Sequence, residues 1–562
     1  MIRPIPIGID DFRKLREQGM EYVDKTFLIR DVLDKGAEVL LLPRPRRFGK
    51  TLNLSMLRWF FDKREEDLSP LFADLSIWSA SEAYRAHFQR YPVIFLTFKG
   101  IKHDSYEACW KAIKATIEIL FDEHRGVLDT GRLSEREAAE YREILERRAD
   151  ENVYVRALGD LSRYLHRCHG EKVVILIDEY DAPIHAGYTN GYAPKVLEFF
   201  RAFLTEGLKG NSSLFKAVLT GILRIAKESI FSGINNFAVY TLLHPHFNTC
   251  FGFTEAEVVA LLERAGQQGL LDDVRSYYNG YIFGGTSVYN PWSILSFIHG
   301  DGRLRPYWAT TSSNDLVHDV LRRHTFGIQP DIETLLEGGT IEKTMDEDVV
   351  LSDLATRMDA VWSLLVLSGY LRAEETPGTS LEIRPYHLSI PNREVRQVYT
   401  STFREWMSER LGSERNVERL KLALLSGDAE TLEEELSGFT ESVLSYHDIA
   451  RRPEQVYHAF VIGLLATLEP DYEVRSNRES GKGRPDVTIR PRHAGKPGVV
   501  LELKVAKPDK KTLEQALSEG LAQIQARNYA AELAAAGASP VHAFAVAFDG
   551  KTVRVRSSRL IP

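Results

Sequence analysis

Apolar positions along this chain follow two rhythms. Short unbroken runs, "AEVLLL" (37–42), "YPVIFLTF" (91–98), "EKVVILIDEYD" (171–181) and "SLFKAVLTG" (213–221), have the length of buried strands. Between them lie longer stretches, such as "SYEACWKAIKATIEILFDEH" and "APKVLEFFRAFLTEGL", whose apolar residues recur at near-helical spacing. Strands apolar on both faces that alternate with helices predict an α/β architecture built on a mostly parallel sheet.

From about residue 254 the pattern turns helical, through "TEAEVVALLERAGQQ", "NPWSILSFI" and "SNDLVHDVLRRH". "MDAVWSLLVLSGYLRAEE" and "LEIRPYHLSIPNREVRQVYTSTFREWM" then read as helix, strand, Pro-Gly turn, strand and helix, a winged-helix-like order. The amphipathic "AETLEEELSGFTESV" leads into a last region with a helix over 453–468. Strands follow around "GRPDVTIRP" and "GVVLELKVA", then a long helix, then the strand pair "VHAFAVAFDGKTVRVR". The expected domains are 1–253, 254–445 and 446–562.

Composition narrows the reading. A chain of 562 residues is too long for one hydrophobic core. The net charge of -8 exerts no global pull toward nucleic acid, so such a partner needs a local basic surface. Three scattered cysteines, Cys109, Cys168 and Cys250, make neither a disulfide framework nor a metal-ligand pair, which fits a reducing compartment. "MIRPIPIGIDDF" has no basic-then-apolar leader, and no apolar stretch approaches membrane-spanning length. The expectation is a soluble cytoplasmic protein with no membrane partner; homo-oligomerisation stays open.

Two segments carry chemistry. In "LLPRPRRFGKT" (41–51) a strand runs into Gly49-Lys50-Thr51 and a helix, the order of a phosphate-binding loop. In such a loop backbone N–H groups face the phosphates; here Lys50 would reach the outer phosphates and Thr51 would ligate Mg²⁺. Arg44 stands where such a loop opens with glycine, and Arg46 and Arg47 add charge that would neutralise phosphate. The strand "VVILID" delivers Asp178 for the Mg²⁺ shell and Glu179 to polarise an attacking water. Thr220, ending the next strand, would sense the γ-phosphate, and Arg224 would meet transition-state charge. Each residue also has a plain structural reading, as a helix cap or a solvated basic turn.

The second segment is "GRPDVTIRPRHAGKPGVVLELKVAK". Asp486 begins one strand; Glu502 and Lys504 lie two apart on another and so share a face. Two carboxylates at a hairpin suit one or two hard divalent ions, Mg²⁺ or Mn²⁺, and Lys504 would orient water at a scissile phosphate. The plain alternative is a salt-bridged hairpin, but an acid inside "VVLELKV" is costly to bury without a cation. His458 on the preceding helix is a further candidate metal ligand. Glu479, Gln523, and the Gln525–Tyr529 pair stand as supporting candidates, and Lys482, Arg484, Lys507, Lys510 and Lys511 as a basic rim.

"YVDKT" (22–26), "LLPRPRRFGKT", "VVILIDEYDAPI", "LTGILRIAKESIFSGINNF", "YYNGYIF", "YNPWSIL" and "YWATTSSN" together resemble the bacterial AAA-ATPase-like family, whose members carry a C-terminal PD-(D/E)XK nuclease domain. The likeness covers most of residues 5–315 and resumes near 454. It implies a P-loop domain that binds ATP and in which the missing first glycine is usual. It also implies a helical, winged-helix-like middle and a restriction-endonuclease-like domain, similar to RecB-type nucleases, acting on nucleic acid. DNA is the expected substrate. In such nucleases a histidine on the helix that carries His458 can join the metal shell. The rival expectation is a nucleotide-dependent switch or scaffold whose nuclease-like domain binds nucleic acid or protein without cutting.

Overall fold

The computed structural model describes residues 3–223, 237–309, 320–321, 325–347, 354, 357–376, 385–443, 463, 467–468, 471–476, 486–506, 512–526, 529–549 and 552–561. Its contacts divide the chain into two compact units. One comprises residues 1–317 and 342–394; the other comprises 318–341 and 395–562. The segment 254–445 is therefore shared between them.

In the first unit, β1 (Val39–Leu41), β2 (Val93–Thr97), β3 (Val173–Asp178), β4 (Leu214–Leu219) and β5 (Phe237–Val239) form one sheet in the order β2-β3-β4-β1-β5. Every pairing is parallel. The four apolar runs become β1–β4, and the whole of β3 is buried, as a strand covered on both faces requires. The edge strand β5 is new relative to the sequence pattern; three half-buried residues give too short a signal to read. Because all strands point one way, the ends of β1, β3 and β4 lie along one sheet edge, where ligands of open α/β sheets bind.

Residues 253–308 build a small helical layer in the same unit. Helix Glu255–Ala265 opens with a capping box between Thr254 and Glu257. It packs with helices Leu271–Tyr278 and Pro291–His299 through Val258, Leu262, Val274, Ile294 and Phe297. Between them β6 (Tyr281–Phe283) and β7 (Thr286–Val288) make a hairpin whose two-residue turn is Gly284-Gly285. Both glycines have positive φ, 49° and 79°, as a tight hairpin turn of this length demands. Further on, β8 (Ile341–Thr344) comes before helix Met358–Leu367, with β9 (Arg372–Glu375) and β10 (Pro385–Ser389) after it; the three strands form a sheet in the order β8-β10-β9, and helix Arg393–Leu411 follows. The Pro-Gly turn expected between β9 and β10 lies outside the described residues.

The second unit holds a mixed sheet, β11 (Tyr472–Ser476), β12 (Val487–Pro491), β13 (Gly498–Val505), β14 (Val541–Asp549) and β15 (Thr552–Ile561), in sequential order. Only β13 and β14 pair in parallel, so they need a crossover, supplied by helices Leu513–Ala526 and Tyr529–Ala535. Alternate residues of β14 serve different layers. Ala543, Ala545 and Ala547 pack under the crossover helices, whereas His542 lies so near Gly427 that a Cβ there would meet its ring at 2.5 Å. Gly427 joins helix Glu414–Ser426 to helix Ala429–Val443, whose Glu433 accepts hydrogen bonds from Arg554 and the Val555 backbone N–H. Among the described residues no helix is long and apolar enough to cross a membrane.

Candidate functional site

β1 ends in a loop, Pro43–Gly49, that leads into helix Lys50–Phe61. Left-handed backbone falls at Arg47, with φ 65°, and at Gly49, with φ 83°, so the loop turns without the glycine missing at position 44. Arg44 has another job. Its guanidinium is fully buried and donates to the carbonyls of Pro43 at 2.7 Å, Tyr240 at 2.6 Å and Phe247 at 3.2 Å. It also lies over the rings of Phe251 and Phe283. Burial brings its pKa down to about 10, which leaves it charged at neutral pH. The Arg44 charge is spent inside the fold, clamping the loop to the segment after β5.

Lys50 is buried at the first helical position and donates to the carbonyls of Arg44 and Pro45, each at 2.9 Å. Burial depresses its pKa, while Glu179, Asp178 and Asp181 oppose that shift, so acids ring this ammonium. Asp178, at the end of β3 and fully buried, receives Thr51 Oγ1 on one carboxylate oxygen and Thr220 Oγ1 on the other, both at 2.8 Å. One carboxylate thus ties together the loop, β3 and β4. Glu179 follows with φ 49°, a conformation that costs a non-glycine residue energy and that clusters at functional sites. Burial raises its pKa, with Lys50 opposing and Asp178 adding to the rise. Arg46 is half-buried, and the exposed Arg47 stacks over Trp292 at 4.2 Å. Arg224 lies outside the described residues.

Sequence reasoning passed over Asp181 and Tyr180. Asp181 accepts from the N–H groups of Ile222 at 2.7 Å and Leu223 at 3.1 Å, and the Tyr180 hydroxyl donates to the Leu223 carbonyl at 2.6 Å. They hold the chain leaving β4 beside the acids. The acidic residue three after Asp178 was the available signal.

In the second unit the register pairs Val487 with Leu501, which puts Asp486 at the position across from Glu502. Asp486 accepts from the Leu503 backbone N–H at 2.7 Å. Glu502 is 1% exposed. Its Oε1 receives Lys504 Nζ at 2.7 Å, while its Oε2 is buried and has no hydrogen-bonding partner among the described residues. Burial raises the Glu502 pKa and the nearby Asp486 adds to that, against the pull of Lys504. A buried carboxylate oxygen left bare beside a second carboxylate is expensive unless a cation answers it. The donor set, two carboxylates and no sulfur, fits Mg²⁺ or Mn²⁺. Among the described residues no cluster of three metal-ligating side chains forms.

Gln523, on helix Leu513–Ala526, accepts from Lys504 Nζ at 3.0 Å, so the ammonium is gripped from strand and helix together. Gly520, one turn earlier, permits that closeness: a Cβ there would meet Ala545 Cβ at 2.9 Å and Glu502 Cγ at 3.7 Å. Gln525 is exposed. His458, Glu479, Lys482, Arg484, Lys507, Lys510, Lys511 and the Tyr529 side chain lie outside the described residues.

Comparison with known proteins agrees with both halves. Residues 6–231 match the family model of a predicted AAA-ATPase, and residues 452–558 match that of the PD-(D/E)XK nuclease superfamily. The chain is also similar to an uncharacterized protein in the vnfD 5' region of Azotobacter chroococcum mcd 1. The two are 29% identical over 504 residues, covering 87% of each chain. An AAA-ATPase-like domain and a PD-(D/E)XK nuclease superfamily domain are thus joined in one polypeptide.

Proposed function

We propose that this protein is a metal-dependent nuclease that cuts phosphodiester bonds in DNA under the control of an ATP-binding module. The observation that carries the reading is the buried Oε2 of Glu502 beside Asp486, without a hydrogen-bonding partner among the described residues, with Lys504 held two residues on. Asp486 and Glu502 would hold a divalent ion, which when bound supplies an activated water and neutralises charge on the phosphate. Lys504, pinned by Glu502 and Gln523, presents its ammonium to the attacked phosphoryl oxygen or to the water. Asp486, anchored by the Leu503 N–H, keeps its carboxylate on the same side of the hairpin.

In the first unit Lys50 and the helix N-terminus would take the ATP phosphates, and Thr51 and Asp178 the accompanying Mg²⁺. Glu179 and Thr220 flank the place where a γ-phosphate would lie. The resting hydrogen bonds of Lys50 to two loop carbonyls are ones that an incoming phosphate would replace. Nucleotide occupancy would then bias the helical and winged-helix-like segment and so govern cutting.

The test is a cleavage assay on single- and double-stranded DNA and RNA, with and without ATP and Mn²⁺. Asp486→Ala and Lys504→Ala should each abolish metal-dependent cleavage of DNA while nucleotide affinity stays at the wild-type level. Undiminished cutting by both variants would remove the site assignment. Intact nucleic-acid binding with no cutting by the wild-type protein would favour the switch or scaffold reading.

A further inference from the structure

The phosphate loop is braced from behind by residues that the nucleotide chemistry does not use. Trp308 Nε1 and Asn290 Nδ2 both donate to the carbonyl of Arg46, at 3.3 and 3.4 Å. Asn290 is fully buried and caps helix Pro291–His299, accepting from the Ser293 N–H at 3.2 Å. Two further groups of this brace converge on one carboxylate. The Trp308 backbone N–H donates to Glu394 Oε1 at 2.6 Å, and the Ser293 hydroxyl donates to Glu394 Oε2 at 2.8 Å. Glu394 is fully buried, in the first turn of helix Arg393–Leu411. Each oxygen therefore holds a residue that supports the Arg46 carbonyl, directly for Trp308 and through the Ser293–Asn290 cap for the other.

We propose that Glu394 is a positioning residue of the nucleotide site, setting the shape of the phosphate loop through Trp308 and the Ser293–Asn290 cap. The proposal rests on reading Pro43–Thr51 as that loop. This loop opens with Pro-Arg-Pro instead of a glycine, so part of its curvature must be imposed from outside. A charged acceptor grips two donors more strongly than a neutral one, and it does so at the expense of its own hydration. Burial pushes the Glu394 carboxyl up to about 7, even though both hydrogen bonds pull the other way. Among the described residues, the titratable groups facing it are the phenols of Tyr278, from helix Leu271–Tyr278, of Tyr281, from β6, and of Tyr307. The grip therefore strengthens as the carboxyl ionises through neutral pH.

The experiment titrates the full chain with a fluorescent ADP analogue and Mg²⁺ from about pH 6 to about pH 8.5, spanning the ionisation. Glu394→Ala should weaken binding by about tenfold or more, the size of one lost charge-assisted hydrogen bond. Glu394→Gln should match the wild type at the acidic end and lack its tightening as the pH rises. Trp308→Phe, which keeps the backbone N–H and loses the indole N–H, should weaken binding by about threefold or more. Parallel pH profiles for wild type and Glu394→Gln would overturn the proposal even if Glu394→Ala fails to fold, as would unchanged affinity in Glu394→Ala. Lys50→Ala separates the two levels. If it binds as tightly as wild type, the loop reading itself fails; if it loses binding while the Glu394 and Trp308 variants keep it, only the positioning role falls.

Discussion

Arg44 shows how one residue can mislead a motif and still serve the same loop. Its position suggests a damaged phosphate site, yet its guanidinium satisfies three carbonyls that a glycine would leave bare. Arg44→Gly, which restores the ordinary motif, should therefore destabilise the protein, by about 3 kcal/mol in urea unfolding, through unsatisfied carbonyls and a cavity. Glu394 makes a second residue-scale prediction. Its folded pKa of about 7 lies above the ordinary glutamate value of 4.5, so the neutral form is the one folding favours. The resulting stabilisation is complete below the ordinary value and is lost as the pH rises through about 7. Relative to Glu394→Gln, the wild type should lose about 3 kcal/mol between acidic and mildly alkaline pH. Unfolding curves for both proteins at each pH check it.

At the scale of elements, close approach decides what each helix can do. Helix Leu513–Ala526 reaches the sheet so closely only because Gly520 has no side chain where the Ala545 Cβ of β14 would stand 2.9 Å away. Gly520→Ala should lift the helix from the sheet, destabilise by about 1–3 kcal/mol and loosen the grip of Gln523 on Lys504, lowering cleavage. Gly438 is the control: it is exposed in helix Ala429–Val443, with nothing within 4 Å of a built Cβ. Gly438→Ala should stabilise by about 0.5–1 kcal/mol, because alanine loses less backbone entropy in a helix. Thermal unfolding of both variants, beside a cleavage assay, distinguishes packing from propensity. The elements themselves were legible to unequal degrees. The four apolar runs of the N-terminal half announced β1–β4 because strands buried on both faces need unbroken apolar sequence. The strand β5 and the hairpin β6–β7 were not read, since three-residue strands are too short for a period to register.

For the whole molecule, the two proposed sites occupy one chain but separate sets of residues. Lys50 and Asp178 belong to the first compact unit, Asp486, Glu502 and Lys504 to the second. Lys50→Ala should remove nucleotide binding and any effect of ATP on cleavage, yet leave Mn²⁺ binding at the nuclease centre unchanged by isothermal titration. Asp486→Ala should do the reverse. Loss of both functions from either single variant would mean that the two sites are not independent. The contact division also redraws the middle of the chain. Helix Ala429–Val443 reads in sequence as a lead into the last region, yet with helix Glu414–Ser426 it covers one face of the nuclease-like sheet through Gly427 and Glu433. An amphipathic pattern states that a helix has a partner and is silent on which one.

That division of labour holds throughout this protein. Local sequence by itself determined the order of β1–β4 and the helices between them, the shared face of Glu502 and Lys504, and the delivery of Asp178 to the end of β3. Each of these follows from backbone periodicity and the direction of one element. Tertiary structure alone decided that Arg44 turns inward, that Asp178 joins Thr51 to Thr220, and that Asp486 stands across from Glu502, whose Oε2 finds no hydrogen-bonding partner among the described residues. It also decided that Glu394 reaches the brace of a loop some 350 residues earlier in the chain. Those facts depend on which distant segments share a desolvated interior, where an unpaired charge is costly and every partner must be found in space, not in sequence.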